Sequence, residues 1–414
     1  MRKLPRIVAV AAGALVLAGC TGLSSTSKAS SNSSDPFPKG ETLKIAVIEP
    51  FSGPFGFYGP AVANTIKLEV NKINAAGGLM GHKLEVVTRD DQLSPQPTVQ
   101  AAKEMAADPS VIMVEGPSFD QLFDGVKSVY ESAKKLNCQV ALDGDTTIQG
   151  LKYTFRDATY DAVSVQATLA YLQQHTSVKT LGLVFSHDTV GEQFDADLAK
   201  YAPQYGIKYL GVQYFNSGAP NQLAQVQALK NADAIWVSAV SNDAAVTALA
   251  AKQLGYKGQL VGQNGLQGYT YIEIAGAAGS GTIFSSNSLL FNTTIPQSQW
   301  PAAYRSTVDA IVKDYGVIKG PKTGVEELNG TTLSANCVDW LQAAVQKAGS
   351  LDSTKIVNAW ENLSLPASQV ASANSVHFTP TNHDAYSNPN QLDIYQWIDV
   401  NGKWTLKLLQ AATG

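Results

Sequence analysis

Basic clusters are missing from this chain. Beyond the first six residues no run of Lys and Arg exceeds a pair, and 30 basic against 34 acidic residues give a formal net charge of -4, so nothing offers a footprint for nucleic acid. Charge of either sign is scarce, at 15% of residues, while apolar residues make up 44% and glycines number 34. That balance excludes a disordered chain and favours a globular fold with wide buried sheets. Cys20, Cys138 and Cys337 are the 3 cysteines, and none belongs to a CxxC pair. The 5 histidines, His82, His175, His187, His377 and His383, are scattered, without an HExxH motif or a Cys/His cluster. Neither a metal site nor any cofactor is therefore expected. No Gly-x-Ser-x-Gly elbow precedes a helix, and the turn from Gly53 to Gly59 lacks the Gly-Lys-Ser/Thr ending of a phosphate loop. Ser186, His187 and Asp188 are the residue types of a hydrolase triad, yet neighbours on one loop cannot set a base between nucleophile and acid. A binding protein is expected rather than an enzyme, with an exported hydrolase as the reading set aside.

What is present begins with an address. Arg2, Lys3 and Arg6 precede an apolar run over 7–17 and then Leu17, Ala18, Gly19 and Cys20. Residues 1–20 read as a secretory signal, too short to span a membrane. The cysteine after Leu-Ala-Gly resembles the lipobox of bacterial lipoproteins, which implies that Cys20 becomes the lipid-bearing first residue; the alternative is an ordinary signal with an incidental cysteine. Residues 21–40 are Ser-rich without apolar period, a tether reaching on the order of 25 Å as a random coil. The expected location is outside the cytoplasm, lipid-anchored to the bacterial cell membrane. Export also permits a Cys138–Cys337 disulfide, and two separately buried thiols fit the spacing equally.

The body is organised around 44–68. Ile45, Ala46, Val47 and Ile48 form a short apolar run that predicts a buried strand; a turn with Gly53, Pro54, Gly56 and Gly59 follows, and Val62, Ile66, Val70 and Ile73 have helical spacing. Strands are then predicted at 84–88, 111–115 and 139–142, with helices at 98–107 and from 118 to about 134. A second series follows Arg156: helices at 163–175, 191–201, 223–231 and 243–254 alternate with strands at 180–185, 207–215, 234–239 and 259–262. Such alternation implies parallel sheets. About 370 residues beyond signal and tether are too many for one core, so two lobes are expected. Helices around 301–315, 331–349 and 353–361 come next, and Asn401-Gly402 between two alternating runs predicts a hairpin.

These residues carry a resemblance. Ser52-Gly53-Pro54 with Tyr58-Gly59, the stretch from Ile73 through Asn74, Gly77, Gly78 and Gly81 to Leu84, and Asp90-Asp91 resemble the opening of branched-chain amino-acid and amide (Leu/Ile/Val-binding-protein-like) solute-binding proteins that feed ABC importers. Phe155-Arg156, Leu254-Gly255, 262–265, Phe378-Thr379-Pro380 with His383, and Tyr395-Gln396-Trp397 agree more loosely. The resemblance implies an α/β, two-lobed type I periplasmic-binding-protein fold, each lobe a mainly parallel sheet flanked by helices, with three hinge crossovers. Lobe 1 is expected from 42–157 plus 284–377, lobe 2 from 158–283 plus 378–410. It further implies a monomer that captures a small-molecule ligand and meets ABC permease subunits; a sensor signalling through a membrane receptor is the alternative.

In such a sheet ligands collect at the carboxyl ends of strands. Lobe 1 is expected to offer Phe55, Phe57, Tyr58, Ser118, Phe119, Asp143, Gly144, Asp145 and Thr146; lobe 2 is expected to offer Tyr160, Val190, Ser241, Asp243 and Asn264. The resemblance implies that Ser118 and the 144–146 loop present hydroxyls and amides to a ligand carboxylate, while helix capping is the plainer role for Ser118 and Thr146. Two departures stand out. Asn264 falls where amino-acid-binding members carry an acid for the ligand ammonium, and Asp143 and Asp145 occupy the loop that should welcome a carboxylate. They favour a neutral or cationic ligand with apolar or ring surface; the alternative is an amino acid whose ammonium meets Asp243. Trp236, Trp300, Trp340 and Trp360 are expected in the core, and Asp90-Asp91 as a loop-shaping pair.

Overall fold

The computed structural model describes residues 35–413 apart from Pro54; the expected signal, Cys20 and the tether up to residue 34 lie outside the described residues. The chain runs β1 (Leu43–Glu49), α1 (Tyr58–Ala75), β2 (Leu84–Asp90), α2 (Pro95–Ala107), β3 (Val111–Glu115), α3 (Asp120–Asp124), α4 (Lys127–Ser132), β4 (Leu136–Gln139) and β5 (Thr154–Thr159). It continues with α5 (Asp161–His175), β6 (Thr180–Ser186), α6 (Thr189–Tyr201), β7 (Lys208–Phe215), α7 (Leu223–Ala228), β8 (Ala234–Trp236), α8 (Ser241–Gln253), β9 (Gln259–Gly262), α9 (Tyr269–Ala275) and β10 (Ile283–Ser286). The last part holds α10 (Ala302–Asp314), β11 (Val317–Lys319), β12 (Glu326–Leu328), α11 (Thr332–Ala348), α12 (Ser353–Trp360), β13 (Ser364–Leu365), β14 (Val376–His377), β15 (Asp384–Tyr386), β16 (Asp393–Val400) and β17 (Lys403–Gln410).

Local chemistry explains the opening unit. Leu43, Ile45, Ala46, Val47 and Ile48 are fully buried, as a strand covered on both faces requires. α1 buries Val62, Ala63, Ile66, Val70 and Ile73, a stripe three to four residues apart that packs on the sheet. It stops where Gly77 and Gly78 take φ of +106° and +85°, and a Cβ on Gly78 would lie 2.2 Å from the His82 carbonyl oxygen. At the far end Asn401 and Gly402 turn the β16–β17 hairpin with φ of +56° and +81°.

Two sheets result. The first has 6 parallel strands in the order β15-β5-β4-β3-β1-β2; the second has 7 in the order β17-β16-β10-β9-β8-β6-β7, antiparallel only at β16 and β17. The chain crosses between them after β5, after β10 and after β15. Cys138 on β4 and Cys337 on α11 are disulfide-bonded, with Cα atoms 5.9 Å apart. Trp236, Trp340 and Trp360 are fully buried, whereas Trp300 is half-buried at a small cluster around Tyr304.

Several expectations need correction. β10 pairs with β9 and β16, so 284–286 belong to the second sheet. β15 pairs with β5, so 378–386 stay with the first. The cause is a buried cation: Arg156 is fully enclosed, and its Nε meets Asp384 Oδ1 at 2.6 Å. β4 begins at 136 instead of 139, because the polar Asn137 and Gln139 are buried members of the strand that donate side-chain amides to the Val114 and Gly116 carbonyls. The helix expected through 134 is two short ones, interrupted at Gly125.

Candidate functional site

The carboxyl ends of β1, β3 and β4 face those of β6, β8 and β9 across a cleft. On the first side, the turn after β1 is pinned by Asp90, which accepts from the Phe51 amide at 2.9 Å. Asp91 accepts from the Leu93 amide at 2.9 Å, so this pair shapes loops. A Cβ on Gly59 would lie 2.6 Å from the Pro50 carbonyl oxygen, which fixes glycine there. Phe55 stacks near Phe57 at 6.1 Å and stands edge-on to Phe119 at 5.8 Å. Phe55 and Phe57 remain 41% and 58% exposed, an apolar patch on the rim of the cleft.

Ser118 does not cap a helix. Its buried hydroxyl donates to Glu49 and lies 3.4 Å from the Tyr58 hydroxyl. Glu49 and Glu115, at the ends of neighbouring β1 and β3, form a sealed carboxyl pair. Burial pushes Glu49 up to about 8 against the hydrogen bonds from Ser118 and Glu115, and burial together with the Glu49 charge pushes Glu115 well up.

The loop after β4 is already satisfied from within. Asp120 accepts from the Asp143 amide at 3.3 Å, from the Gly144 amide at 3.2 Å and from the Thr147 hydroxyl. Thr146 is exposed and caps nothing. Burial, then the nearby Asp120 charge, raises Asp143 to about 7; Arg156 and a side-chain hydrogen bond from Asn264 oppose the shift. That bond joins the two lobes. Asp145 also crosses over: it accepts from the Ala162 amide at 2.9 Å and from Gln193 Nε2 at 3.3 Å, and shares a hydrogen bond with Asp197, which burial raises to about 7. Tyr160 lies 4.8 Å from the Arg156 guanidinium, and burial lifts its hydroxyl to about 12.

On the second side Val190 is exposed at the start of α6, and Ser241 donates to the Gly265 carbonyl at 2.6 Å. Asp243 is buried and turned away: one oxygen accepts from Ser217 at 2.8 Å and the other from the Gly218 amide at 3.0 Å. Both oxygens of its carboxylate are therefore engaged within the second lobe.

A cavity of about 270 Å³ sits at the junction of the lobes. Phe57, Tyr58, Asp143 and Asn264 line it, as expected from the sequence. Phe55, Ser118, Phe119, Gly144, Asp145, Thr146, Tyr160, Val190, Ser241 and Asp243 do not. Most of the remaining wall comes from segments that sequence reasoning missed: Gln267, the second crossing with Asn287, Leu289 and Phe291, and the β11–β12 hairpin and start of α11 with Glu327 and Leu333. The hairpin was signalled only by Gly320 and Gly324 between the short segments 317–319 and 325–328. It straps the cavity to the second lobe. Glu273 of α9 accepts from the Lys322 amide and from Thr323 at its amide, 3.0 Å, and hydroxyl, 2.5 Å, while Val325 is buried in the second-lobe core. The cavity lining contains no Lys, Arg or His. Among the described residues no group of three or more His, Cys, Asp or Glu is placed to hold a metal, and no helix is long and apolar enough to cross a membrane.

A sequence model of the family described as "Periplasmic binding protein" matches residues 42–399. The chain is 23% identical over 324 residues to a leucine-, isoleucine-, valine-, threonine- and alanine-binding protein of Pseudomonas aeruginosa, covering 77% of this chain and 82% of the relative. It is 25% identical over 279 residues to the Leu/Ile/Val-binding protein of Escherichia coli K12, covering 66% and 72%. A periplasmic binding protein type 1 from Bordetella pertussis superposes with a TM-score of 0.76 at 21% identity, over 89% of this chain and 100% of the other. A branched-chain amino acid transporter substrate binding protein from Streptococcus pneumoniae, in complex with isoleucine, superposes with a TM-score of 0.71 at 20% identity, over 89% and 100%.

Proposed function

The chain belongs to the periplasmic binding protein family, and from that premise we propose that it captures a small solute between its lobes and delivers it to a membrane-embedded ABC importer, held at the membrane by a lipid on Cys20. Like its relatives, which are named for the amino acids they bind, it is a binding protein and not an enzyme. The observation that carries the reading is the cavity, whose walls come from loops of both lobes and from the chain crossing between them. A site divided this way is completed only when the lobes approach, so occupancy and closure are one event. Its volume is near the lower end for small-molecule sites, which suits a solute of amino-acid size. Tyr58, Asp143 and Asn264 are the contacts we assign to it, with Phe57 as an apolar wall.

A thermal-shift screen of the body from Asp35 onward against amino acids, amides, amines, polyols and nucleosides tests the binding role. A ligand at a hundredfold excess over Kd stabilises by about 2.7 kcal/mol. Turnover of a bound compound would sink the reading. The anchor is tested separately: Cys20→Ala should move the protein from the membrane to the soluble fraction, and unchanged fractionation rejects lipidation.

A further inference from the structure

Hydrogen-bond donors of the loop after β4 and of the first turn of α5 are already occupied by the protein, and in the cavity lining the buried Asn287 Nδ2 is left without a partner. The Asp143 and Gly144 amides and the Thr147 hydroxyl are taken by Asp120. At the first turn of α5, the helix end that would otherwise draw an anion, the Asp161 amide donates to the Asp143 carbonyl at 2.8 Å and the Ala162 amide to Asp145 at 2.9 Å. Arg156, the nearby cation, is held through Nε by Asp384 and through Nη1 by the Leu142 and Gly144 carbonyls, its Nη2 is without a partner, and it does not line the cavity.

Acceptors, by contrast, are on offer. Asp143 from the first lobe and Glu327 from the strap, which also accepts from the Tyr269 amide at 3.3 Å, both line the cavity, and no basic side chain lines it with them. Apolar surface from Phe57, Leu289, Phe291 and Leu333 surrounds them. A carboxylate entering this space would meet two carboxyl groups and no cation in the lining, with the neutral Asn287 amide as its one unpartnered buried donor there; an ammonium would meet the charge it lacks.

We propose that the solute is a small primary amine with an apolar body and no carboxylate, its ammonium held by Asp143 beside Asn264. This rests on the solute-binding reading above. Burial, which holds the Asp143 carboxyl near 7, is offset when a cation enters, so the group ionises as the ligand binds.

Four compounds with one branched carbon skeleton separate the possibilities by calorimetry: 3-methylbutylamine, leucinamide, leucine and 4-methylpentanoate. The amine and leucinamide should bind at least about tenfold more tightly than leucine, a difference of about 1.4 kcal/mol, and 4-methylpentanoate should not bind. Asp143→Asn, close in shape, should weaken the amine by about tenfold or more without lowering the melting temperature. Asp120→Asn should leave the amine's affinity nearly unchanged, and Asp120→Ala, which empties the seat, should raise the affinity for leucine. Leucine binding more tightly than the amine overturns this inference and leaves the solute-binding reading standing, as does an Asp143→Asn variant of unaltered amine affinity. A folded chain that binds none of the four nor anything in the wider screen overturns both.

Discussion

The two lobes share an architecture and differ in how they are held. The first is cross-linked: a disulfide joins β4 to α11, the Glu49–Glu115 pair is sealed under its strand ends, and Arg156 with Asp384 staples its edge strand. The second has no disulfide among the described residues, and its helix α8 packs through small side chains, Ala244, Ala245, Ala248, Ala250 and Ala251. Between the lobes the side-chain contacts are sparse and acidic, with Asp143 facing Asn264 and Asp145 facing Gln193 and Asp197. The contrast teaches that buried carboxyls of similar chemistry serve two ends. Inside one lobe they set local stability; across the cleft they set how readily the lobes meet.

The largest effect should come from cutting the cross-link. Cys138 and Cys337 are 199 residues apart in sequence, and the chain-entropy account assigns such a loop about 5 kcal/mol. Cys138→Ser with Cys337→Ser should lose stability of that order in denaturant unfolding, and a loss below about 1 kcal/mol would erase the distinction between the lobes.

A smaller effect should separate the two sets of carboxyls by pH. Glu49 is raised from 4.5 to about 8 and Asp197 from 3.8 to about 7, so in each case the folded protein binds more protons than the unfolded chain between those values. Stability must therefore fall as pH rises through the window, with a slope of up to about 1.4 kcal/mol per pH unit for each proton, and level off above the folded value. Glu49→Gln should flatten the decline that extends to about pH 8 and leave ligand affinity alone. Asp197→Asn should flatten the part ending near pH 7 and also the pH dependence of ligand affinity, because its partner Asp145 lies on the other lobe. Equal responses of affinity in the two variants would dissolve the comparison.

Much of this was legible in the sequence, and the failures share a cause. Periodicity found the strand–turn–helix opening, the alternation of both lobes and the terminal hairpin, because those signals lie within a few residues of one another. Tyr58, Asp143 and Asn264, expected in the loops that follow strands, line the cavity, and those loops were readable for the same local reason. What escaped depends on partners far along the chain. Nothing near Asp243 announces that its carboxylate closes the loop at Ser217 and Gly218. Glu327 and Leu333 join the cavity only because the β11–β12 hairpin is carried over to Glu273. The edge strand at 384–386 is too short to read as a strand and is placed by Arg156, whose charge needs it.

That staple fixes when the protein can become whole. A chain is made from its amino end, and the first sheet is nearly complete once residue 159 has appeared, yet its edge strand arrives 228 residues after Arg156. Until then a buried guanidinium stands without its carboxylate, a defect costing about 3–5 kcal/mol. The second sheet also waits for β16 and β17. The two lobes are thus not products of the two halves of the gene: the half that is synthesised first remains provisional, and both are finished together by the same last stretch of chain.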